Sequence, residues 1–212
     1  MTADLFPPDS ELSLAPGALL LPGLALDQAG VLLDAVNAVT AAAALRQLHT
    51  PGGQLMQVAM SNCGDLGWVS DARGYRYQAH DPLTGRAWPT MPALIKQLAA
   101  AAAQRAGFAD FDPDACLINR YLPGNRLSLH QDRDEQDYSQ PIVSISLGLP
   151  AVFLFGGLTR ADKPARLTLQ HGDVLVWGGP SRLRFHGVQP LAAGEHPLLG
   201  ACRINLTLRR AN

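Results

Sequence analysis

The sequence predicts an α+β domain in which two helices cover a jelly-roll core of antiparallel strands. From about residue 114 onward, short runs of alternating apolar and polar residues are separated by turn sequences such as QHGD and WGGPS. Helical spacing of apolar residues is confined to two segments upstream of these runs. Helices that precede the strands, rather than alternating with them, favour α+β over a parallel α/β fold.

The first predicted helix covers LDQAGVLLDAVNAVTAAAAL, with Asp27 as its expected N-cap. The second covers TMPALIKQLAAAAAQRAG, with Thr90 near its start, Pro92 in its first turn and Gly107 as its stop. The later runs are predicted strands: ACLINRY, PIVSISLGL, AVFLFG, ARLTLQ, DVLVWG, RLRFHGV and CRINLTLRR.

Residues 50–89 are rich in glycine, aspartate, asparagine and aromatic residues, which predicts short hairpins and exposed loops. Large aromatic residues are concentrated there: Trp68, Tyr75, Tyr77 and Trp88. They either form a small satellite core or stack on an unpaired nucleic-acid base. The residues alone leave both interpretations open.

Composition sets limits on the class of protein and its partners. The chain has 212 residues, of which 47% are hydrophobic and 17% charged, as expected for one globular domain with a substantial core. The formal net charge of −1 argues against tight non-specific binding to nucleic acid, so any such contact needs a local basic patch. Candidates for that patch are Arg73, Arg76, Arg120, Arg126, Arg133, Arg160, Arg209 and Arg210.

Cysteine usage and the N-terminus indicate a cytoplasmic protein. The 3 cysteines are far apart and form no CxxC pair, which argues against a disulfide framework and against a thiolate zinc site. The N-terminal stretch MTADLFPPDSELSLAPG has acids and prolines where a signal peptide would have a basic start and an apolar run. The segment GALLLPGLAL is too short and too interrupted to span a membrane.

The stretch RLSLHQDRDEQD suggests a metal site at the end of a strand. His130 and Asp132 are two residues apart, so both side chains lie on one face of an extended chain. His186 in RLRFHGV is the best candidate for a third ligand, because it ends an alternating run and precedes a glycine. His171, in the QHGD turn, is expected to serve the turn or the surface instead. Two histidines and one carboxylate are typical of non-haem Fe(II) oxygenases, whereas zinc more often brings a third histidine or cysteines. The alternative is a frayed, charged strand end.

The run CRINLTLRR predicts a strand with one polar face. Arg203, Asn205, Thr207 and Arg209 alternate with apolar residues. This pattern describes either an ordinary half-exposed strand or a site for a dicarboxylate, which paired guanidinium groups bind well. A second polar face, with Asn119 and Tyr121, follows from LINRYLPG.

Taken together, these motifs resemble the AlkB-type alkylation-repair dioxygenases, which depend on Fe(II) and 2-oxoglutarate, and the match is close to the bacterial founding member. The motifs that carry the resemblance are NRYLPGNRLSLHQDRDE, SISLGLPAVFLFGG, HGDVLVWGGPSRLRFHGV and RINLTLR. It continues upstream through TPGGQLMQVAMSNCGDLGW and DPLTGRAWPTMP, and so covers nearly the whole chain. The resemblance implies a double-stranded β-helix core with N-terminal helices and a nucleotide-recognition lid. It implies one domain over residues 1–212, with the lid at about 45–90 and the catalytic core at about 114–210.

The resemblance also assigns roles to individual residues. It implies that iron is held by His130, Asp132 and His186, and that the 2-oxoglutarate carboxylates meet Arg203 and Arg209. Hydrogen-bonding support is expected from Asn119, Tyr121 and Asn205, whereas Thr207 is expected to serve the strand. The implied substrate contacts are Trp68 stacking on the base opposite His130, Tyr75 and Tyr77 at the nucleotide backbone, Asp134 at the exocyclic amine, and Arg160 on nucleic acid.

The implied reaction is oxidative demethylation of N-alkylated bases such as 1-methyladenine and 3-methylcytosine. It consumes O2 and 2-oxoglutarate and releases formaldehyde. The expected partner is methylated single-stranded DNA, with RNA as a second polymer; a monomer with no membrane partner is expected. One alternative is the same iron chemistry on a protein or small-molecule substrate. The other is a non-catalytic jelly-roll binding module.

Overall fold

The computed structural model describes residues 11–212; residues 1–10, which belong to the predicted domain, lie outside the described part of the chain. The helices are α1 (Ala29–Ala42) and α2 (Ala93–Arg105), with short 3-10 turns at Leu26–Gln28 and Gly179–Ser181. The strands in the first half are β1 (Leu12–Ala15), β2 (Ala18–Leu21), β3 (Arg46–His49), β4 (Leu55–Gly64), β5 (Gly67–Asp71) and β6 (Gly74–Gln78). Those in the second half are β7 (Ala115–Tyr121), β8 (Leu127–His130), β9 (Ile142–Gly148), β10 (Ala151–Phe155), β11 (Ala165–Leu169), β12 (Val174–Trp177), β13 (His186–Val188) and β14 (Arg203–Arg209).

Two antiparallel sheets form the jelly roll, which confirms the predicted fold class. The larger sheet has the order β1-β2-β12-β9-β14-β7-β4-β3, and the smaller has the order β11-β10-β13-β8. Strands β5 and β6 form a separate two-stranded hairpin. Helices α1 and α2 pack on the outer face of the larger sheet, where residues such as Leu206 and Ile118 contact them in one apolar cluster. A second apolar cluster, which includes Phe153 and Trp177, fills the space between the sheets.

Strand β14 lies in the middle of the larger sheet, between β7 and β9, and its polar face is turned into the jelly roll. All seven of its residues are buried, so the interpretation of this run as a half-exposed strand is wrong. Asn119 and Tyr121 lie opposite Asn205 and Arg203 in the neighbouring strand, so both polar faces share one interior wall. That wall is where the sequence predicted a dicarboxylate site.

The helices occur where predicted, but their first residues differ from expectation. Asp27 lies in a 3-10 turn, and the residue that caps α1 is Gln28, without a side-chain hydrogen bond, so Asp27 is not the N-cap. Pro92 caps α2 instead of standing in its first turn, because the helix begins only at Ala93. Gly107 is confirmed as the stop: its φ of +90° is open to glycine at little cost, and it follows the last helical turn directly.

Two strand predictions are wrong in position. Contrary to the prediction, the helices do not precede all strands of the core. Strand β2 pairs with β12, and the ten-residue β4 pairs with β7, so both extend the larger sheet. His186 begins β13 instead of ending a strand, since residues 182–183 form a turn and residues 184–185 are irregular. Gly187 is needed for the close approach of β13 to β8, because a Cβ there would lie 2.7 Å from the Leu127 carbonyl oxygen.

Among residues 11–212, no helix is long and apolar enough to cross a bilayer.

Candidate metal and co-substrate site

Three predicted metal ligands meet at the open end of the smaller sheet. His130 is the last residue of β8 and lies opposite His186, the first residue of the antiparallel β13. Asp132 follows β8 by two residues and turns back between them. His130 Nε2 is 3.5 Å from Asp132 Oδ1, and His186 Nε2 is 3.8 Å from Asp132 Oδ2. One ligand atom from each of the three residues lies within 4.8 Å of the others, which places them around a common point.

The backbone sets both imidazole rings in the form that a metal requires. His130 Nδ1 is 2.9 Å from the Ser128 carbonyl oxygen, and His186 Nδ1 is 3.0 Å from the Arg184 carbonyl oxygen. A carbonyl oxygen only accepts, so each Nδ1 carries the hydrogen. The lone pair is therefore on Nε2, the atom that faces the common point.

In His171 and His196 the other ring nitrogen carries the hydrogen. The Gly148 N–H donates to His171 Nδ1 at 2.9 Å, and the Leu198 N–H donates to His196 Nδ1 at 3.2 Å. These rings lie 4.3 Å apart between centroids, but each Nδ1 accepts, so their Nε2 atoms carry the hydrogens. His171 thus serves its turn, as predicted.

Electrostatics keep His186 and Asp132 in their metal-binding forms, whereas Asp132 favours the protonated form of His130. Burial lowers the pKa of His186 to about 4, and the neighbouring His130 ring adds to that effect. Burial also lowers the pKa of His130, but the hydrogen bond and charge of Asp132 outweigh it and raise that pKa above the ordinary value. Burial alone would raise the pKa of Asp132; instead Arg209 and the two histidines hold it well below its usual range. The carboxylate is therefore ionised, as metal binding requires.

A buried ionic network supports Asp132 from behind. Arg209 donates to Asp132 Oδ2 through Nε at 2.9 Å and Nη2 at 2.6 Å, and its Nε lies 3.2 Å from Glu135. Arg182 lies 3.0 Å from the other Glu135 oxygen and donates to the Asp132 main-chain oxygen at 3.0 Å. The Tyr77 hydroxyl donates to Glu135 at 2.8 Å. Sequence reasoning missed Glu135 and Arg182, since an acid in DRDE and an arginine in RLRF resemble surface charges.

Arg203 has the opposite environment from Arg209. Its Nη2 donates to Ser146 Oγ at 2.8 Å, but Nε and Nη1 are buried without a hydrogen-bond partner in the described part of the chain. Within residues 11–212 it forms no salt bridge, and burial lowers its pKa to about 10. Burial raises the pKa of the adjacent Tyr121 hydroxyl to about 12, so that group remains a neutral donor. An uncompensated buried guanidinium beside a phenol fits the carboxylate of a dicarboxylic co-substrate.

The remaining predicted co-substrate residues differ in whether their side chains already form hydrogen bonds within the protein. The Asn119 side-chain oxygen is buried on the same interior wall, and no described residue forms a hydrogen bond with it. The Asn205 amide instead donates to Ser144 Oγ at 2.7 Å and to the Ile145 carbonyl at 3.1 Å, and it accepts from Thr207 at 2.9 Å. Thr207 therefore serves the strand, as expected. The predicted contact of Asn205 with the co-substrate stays a prediction.

The predicted substrate residues Trp68 and Asp134 are brought together. Trp68 Nε1 donates to Asp134 Oδ2 at 2.7 Å, and Asp134 follows Asp132 by only two residues. Tyr75 stacks on Trp68 with 5.5 Å between ring centroids and 13° between planes. Tyr77 lies on the same hairpin, but its hydroxyl is occupied by Glu135. An aromatic face and a carboxylate thus adjoin the metal triad.

The predicted arginine patch is smaller than expected. Arg160 is exposed, with its guanidinium 5.1 Å above the Phe185 ring, next to His186. Arg209 is buried against Asp132, however, and cannot contribute to a surface. Others are paired with acids: Arg73 and Arg76 with Asp71, and Arg210 with Asp112 and Asp114.

Comparison with known proteins identifies the family. The sequence profile of the 2OG-Fe(II) oxygenase superfamily matches residues 17–209. This chain belongs to that superfamily. It is 56% identical over 198 residues to the alpha-ketoglutarate-dependent dioxygenase AlkB of Escherichia coli, covering 93% of this chain and 92% of that protein.

Two further matches extend the family assignment. The human nucleic acid dioxygenase ALKBH1 is 34% identical over 123 residues, which cover 58% of this chain and 31% of that protein. The solved structure of OsALKBH1 superposes with a TM-score of 0.79 at 30% identity, over 95% of this chain and 100% of that one.

As a dioxygenase of the AlkB type, the chain requires Fe(II), 2-oxoglutarate and O2. Its membership excludes the alternative of a non-catalytic jelly-roll module. The triad and the unpaired Arg203 atoms fit a metal and a dicarboxylate on their own geometry. The family and the site chemistry therefore agree.

Proposed function

We propose that this dioxygenase removes alkyl groups from the nitrogens of nucleic-acid bases. Its proposed substrates are 1-methyladenine and 3-methylcytosine in single-stranded DNA, with RNA as a second polymer. One observation carries the proposal: Trp68 and Asp134, joined by a hydrogen bond of 2.7 Å, present an aromatic face and a negative charge beside the metal triad. A flipped, positively charged base matches both features.

His130, Asp132 and His186 would hold Fe(II), and Arg203 would pair with one carboxylate of 2-oxoglutarate. Support for the second assignment comes from the unpaired Nε and Nη1 atoms of Arg203 and from the neutral Tyr121 hydroxyl. Asn119, Asn205 and Arg209 complete the proposed co-substrate set. When bound, iron, 2-oxoglutarate and O2 together would supply the oxidation of the N-methyl group, whose carbon leaves as formaldehyde.

The protein's own residues orient these groups instead of transferring protons in the reaction. Arg209 donates two hydrogen bonds to Asp132 Oδ2, so the carboxylate is oriented before any metal arrives. The two Nδ1–carbonyl bonds do the same for the histidine rings. Such pre-orientation lowers the reorganisation needed at the metal.

Substrate selection would lie with the hairpin and the loop after β8. The Trp68 ring would stack on the base opposite His130, with Tyr75 supporting its stack. Asp134 would face the exocyclic amine of the cationic base, which separates a lesion from a neutral normal base. Tyr75, Tyr77 and Arg160 would contact the polynucleotide, although the Tyr77 hydroxyl would first have to leave Glu135.

We also propose that residues of about 45–90 form the lid and those of about 114–210 the catalytic core of one monomeric domain. The buried thiols of Cys63 and Cys116 lie opposite each other in β4 and β7 and are both free, which suits a cytoplasmic location. The net charge of −1 predicts modest, salt-sensitive binding to nucleic acid.

The test is a single-stranded oligonucleotide with one 1-methyladenine, incubated with protein, Fe(II), 2-oxoglutarate and air and analysed by mass spectrometry. Loss of the methyl group is expected in the complete reaction and not with His130→Ala or without 2-oxoglutarate. Succinate formation without demethylation would keep the iron site and overturn the proposed substrate. A panel of peptides and small metabolites would then test the alternative hydroxylase.

A further inference from the structure

The hairpin of β5 and β6 carries Trp68 but belongs to neither large sheet. A two-stranded hairpin is at best marginally stable by itself in water. The position of the Trp68 ring relative to the metal triad therefore depends on side chains that attach the hairpin to the jelly roll. Tyr77, through Glu135, is one such attachment.

Asn62 forms a second attachment, and it acts directly on the Trp68 main chain. Asn62 lies in β4 opposite Leu117 of β7, inside the larger sheet, and is only 3% exposed. Its Nδ2 donates to the Trp68 carbonyl oxygen at 3.0 Å, and its Oδ1 accepts from the Trp68 N–H at 3.0 Å. Both main-chain groups of one residue are thus held by one amide, as a neighbouring strand would hold them.

The surroundings leave this double hydrogen bond little freedom. A Cβ at Gly67 would lie 2.9 Å from Asn62 Cβ and even closer to the Trp88 ring. Trp88 is itself fixed, because its Nε1 donates to the Gln78 carbonyl oxygen at 2.9 Å. The chain before Trp68 therefore passes through a slot that admits only glycine.

We propose that Asn62 is a positioning residue for the nucleotide substrate: its amide sets the height and angle of the Trp68 ring over the metal triad. The inference rests on the proposed function, in which Trp68 stacks on the flipped base. Asn62 does not itself touch the base. Its two bonds hold the Trp68 main chain, and the Trp68 ring is then placed so that Nε1 reaches Asp134.

The alternative is that Asn62 only stabilises the connection between β4 and β5. A purely structural role would lower the stability of the fold without changing the ring's environment or the substrate's KM. A positioning role changes both, because small displacements of a positioning group are costly to productive binding.

The test compares Asn62→Ala with Ser61→Ala as a matched control. Ser61 is the preceding residue of β4, is also 3% exposed, and also donates a buried hydrogen bond, but this bond goes at 2.5 Å to the Ala43 carbonyl and not to the hairpin. With the methylated oligonucleotide, Asn62→Ala is expected to raise KM about tenfold with kcat within about twofold. Ser61→Ala should leave both near the wild-type values. The uncoupled formation of succinate without oligonucleotide should be equal in all three proteins.

A second readout does not depend on the reaction. Trp88 and Trp177 are only 7% and 1% exposed, so quenching of tryptophan fluorescence by acrylamide reports mainly on Trp68. Quenching should increase in Asn62→Ala and not in Ser61→Ala, and the difference should vanish when Trp68 is replaced by phenylalanine in both backgrounds. Asn62→Asp, which keeps the acceptor and loses the donor, should give an intermediate increase.

Equal KM and equal quenching in Asn62→Ala and Ser61→Ala would overturn the proposal. A wild-type protein that fails to demethylate the oligonucleotide, while the quenching difference persists, would overturn the proposed function. In that case Asn62 would still be shown to fix the Trp68 ring.

Discussion

Replacing Arg203 by methionine should separate co-substrate binding from folding. Arg203 is 2% exposed, and among residues 11–212 the only hydrogen bond of its side chain is the one from Nη2 to Ser146 Oγ. Nε and Nη1 are available to a ligand but buried from water. Methionine has a similar length without the charge, so the cavity should keep its shape.

The size of the effect follows from these two unpaired atoms. A hydrogen bond to a charged partner is worth about 1.5–3 kcal/mol, so losing two such bonds to a carboxylate costs about 3–6 kcal/mol. Since about 1.4 kcal/mol corresponds to a tenfold change in Kd, the affinity for 2-oxoglutarate should fall by at least about 100-fold. Stability without the ligand should stay equal or rise, because replacing a poorly compensated buried charge by an apolar side chain is often neutral or stabilising.

The assay is an anaerobic titration of the Fe(II)-loaded protein with 2-oxoglutarate, read by the absorbance that develops. Urea unfolding of the metal-free protein measures the stability. Arg203→Lys, which keeps the charge but not the fork, should lose less affinity than Arg203→Met. Ser146→Ala, which removes only the protein partner, should change Kd by less than about threefold. An unchanged Kd in Arg203→Met, or a large loss of stability in its metal-free form, would refute the assignment of Arg203 to the co-substrate.

Three further outcomes are expected. Glu135→Gln leaves Arg182 and Arg209 facing a neutral side chain, so the free energy of unfolding in urea should fall by about 3 kcal/mol. Glu195 is exposed, and Glu195→Gln should change that free energy little. Tyr77→Phe removes the hydrogen bond to Glu135 and should cost about 1 kcal/mol of stability in the same assay, with the Kd for 2-oxoglutarate unchanged. Burial and the neighbouring His196 lower the pKa of His171 in the folded protein, so the unfolded chain binds the proton better and stability is lost as pH falls below about 6.5. His171→Gln should flatten that loss between pH 7.5 and pH 5.5; an unchanged slope would mean that other groups cause it.

The sequence predicted the second half of the fold well because there each strand pattern coincides with a buried interior. ACLINRY, for example, matches β7 at both ends. The first half was less predictable. Strands β2 and β4 join the larger sheet through β12 and β7, partners more than fifty residues away, and pairing at such distance leaves no local pattern. Asp27 shows the same limit at a helix end, where a preceding 3-10 turn moved the cap by one residue.

The metal triad was predictable because a local spacing places two of its ligands together: a histidine and an acid two residues apart share one face of a strand. The groups that support it were not. Glu135 and Arg182 act through contacts with residues far away in the sequence, 58 positions in the case of Tyr77 and Glu135, and Asn62 acts on the main chain of Trp68 in the next strand. In the sequence alone, a buried acid in an acidic loop is indistinguishable from a solvated one. These polar residues support the site because the fold buries them, and burial cannot be read from the sequence.

Charge balance explains why the polar face of β14 carries two arginines with opposite roles. Asp132 and Glu135 are compensated by Arg209 and Arg182 within hydrogen-bonding distance, so that part of the interior is neutral before any ligand binds. Arg203 lies on the same face but forms no salt bridge within residues 11–212. A divalent metal and a dianionic co-substrate add no net charge when they bind together. Their positive and negative charges, however, enter the interior at different places. The metal adds its charge at Asp132, where the carboxylate is already ionised, and one carboxylate of the co-substrate can neutralise Arg203. Arg209 therefore orients the metal ligand before the co-substrate arrives, whereas the charge of Arg203 stays uncompensated until a carboxylate binds.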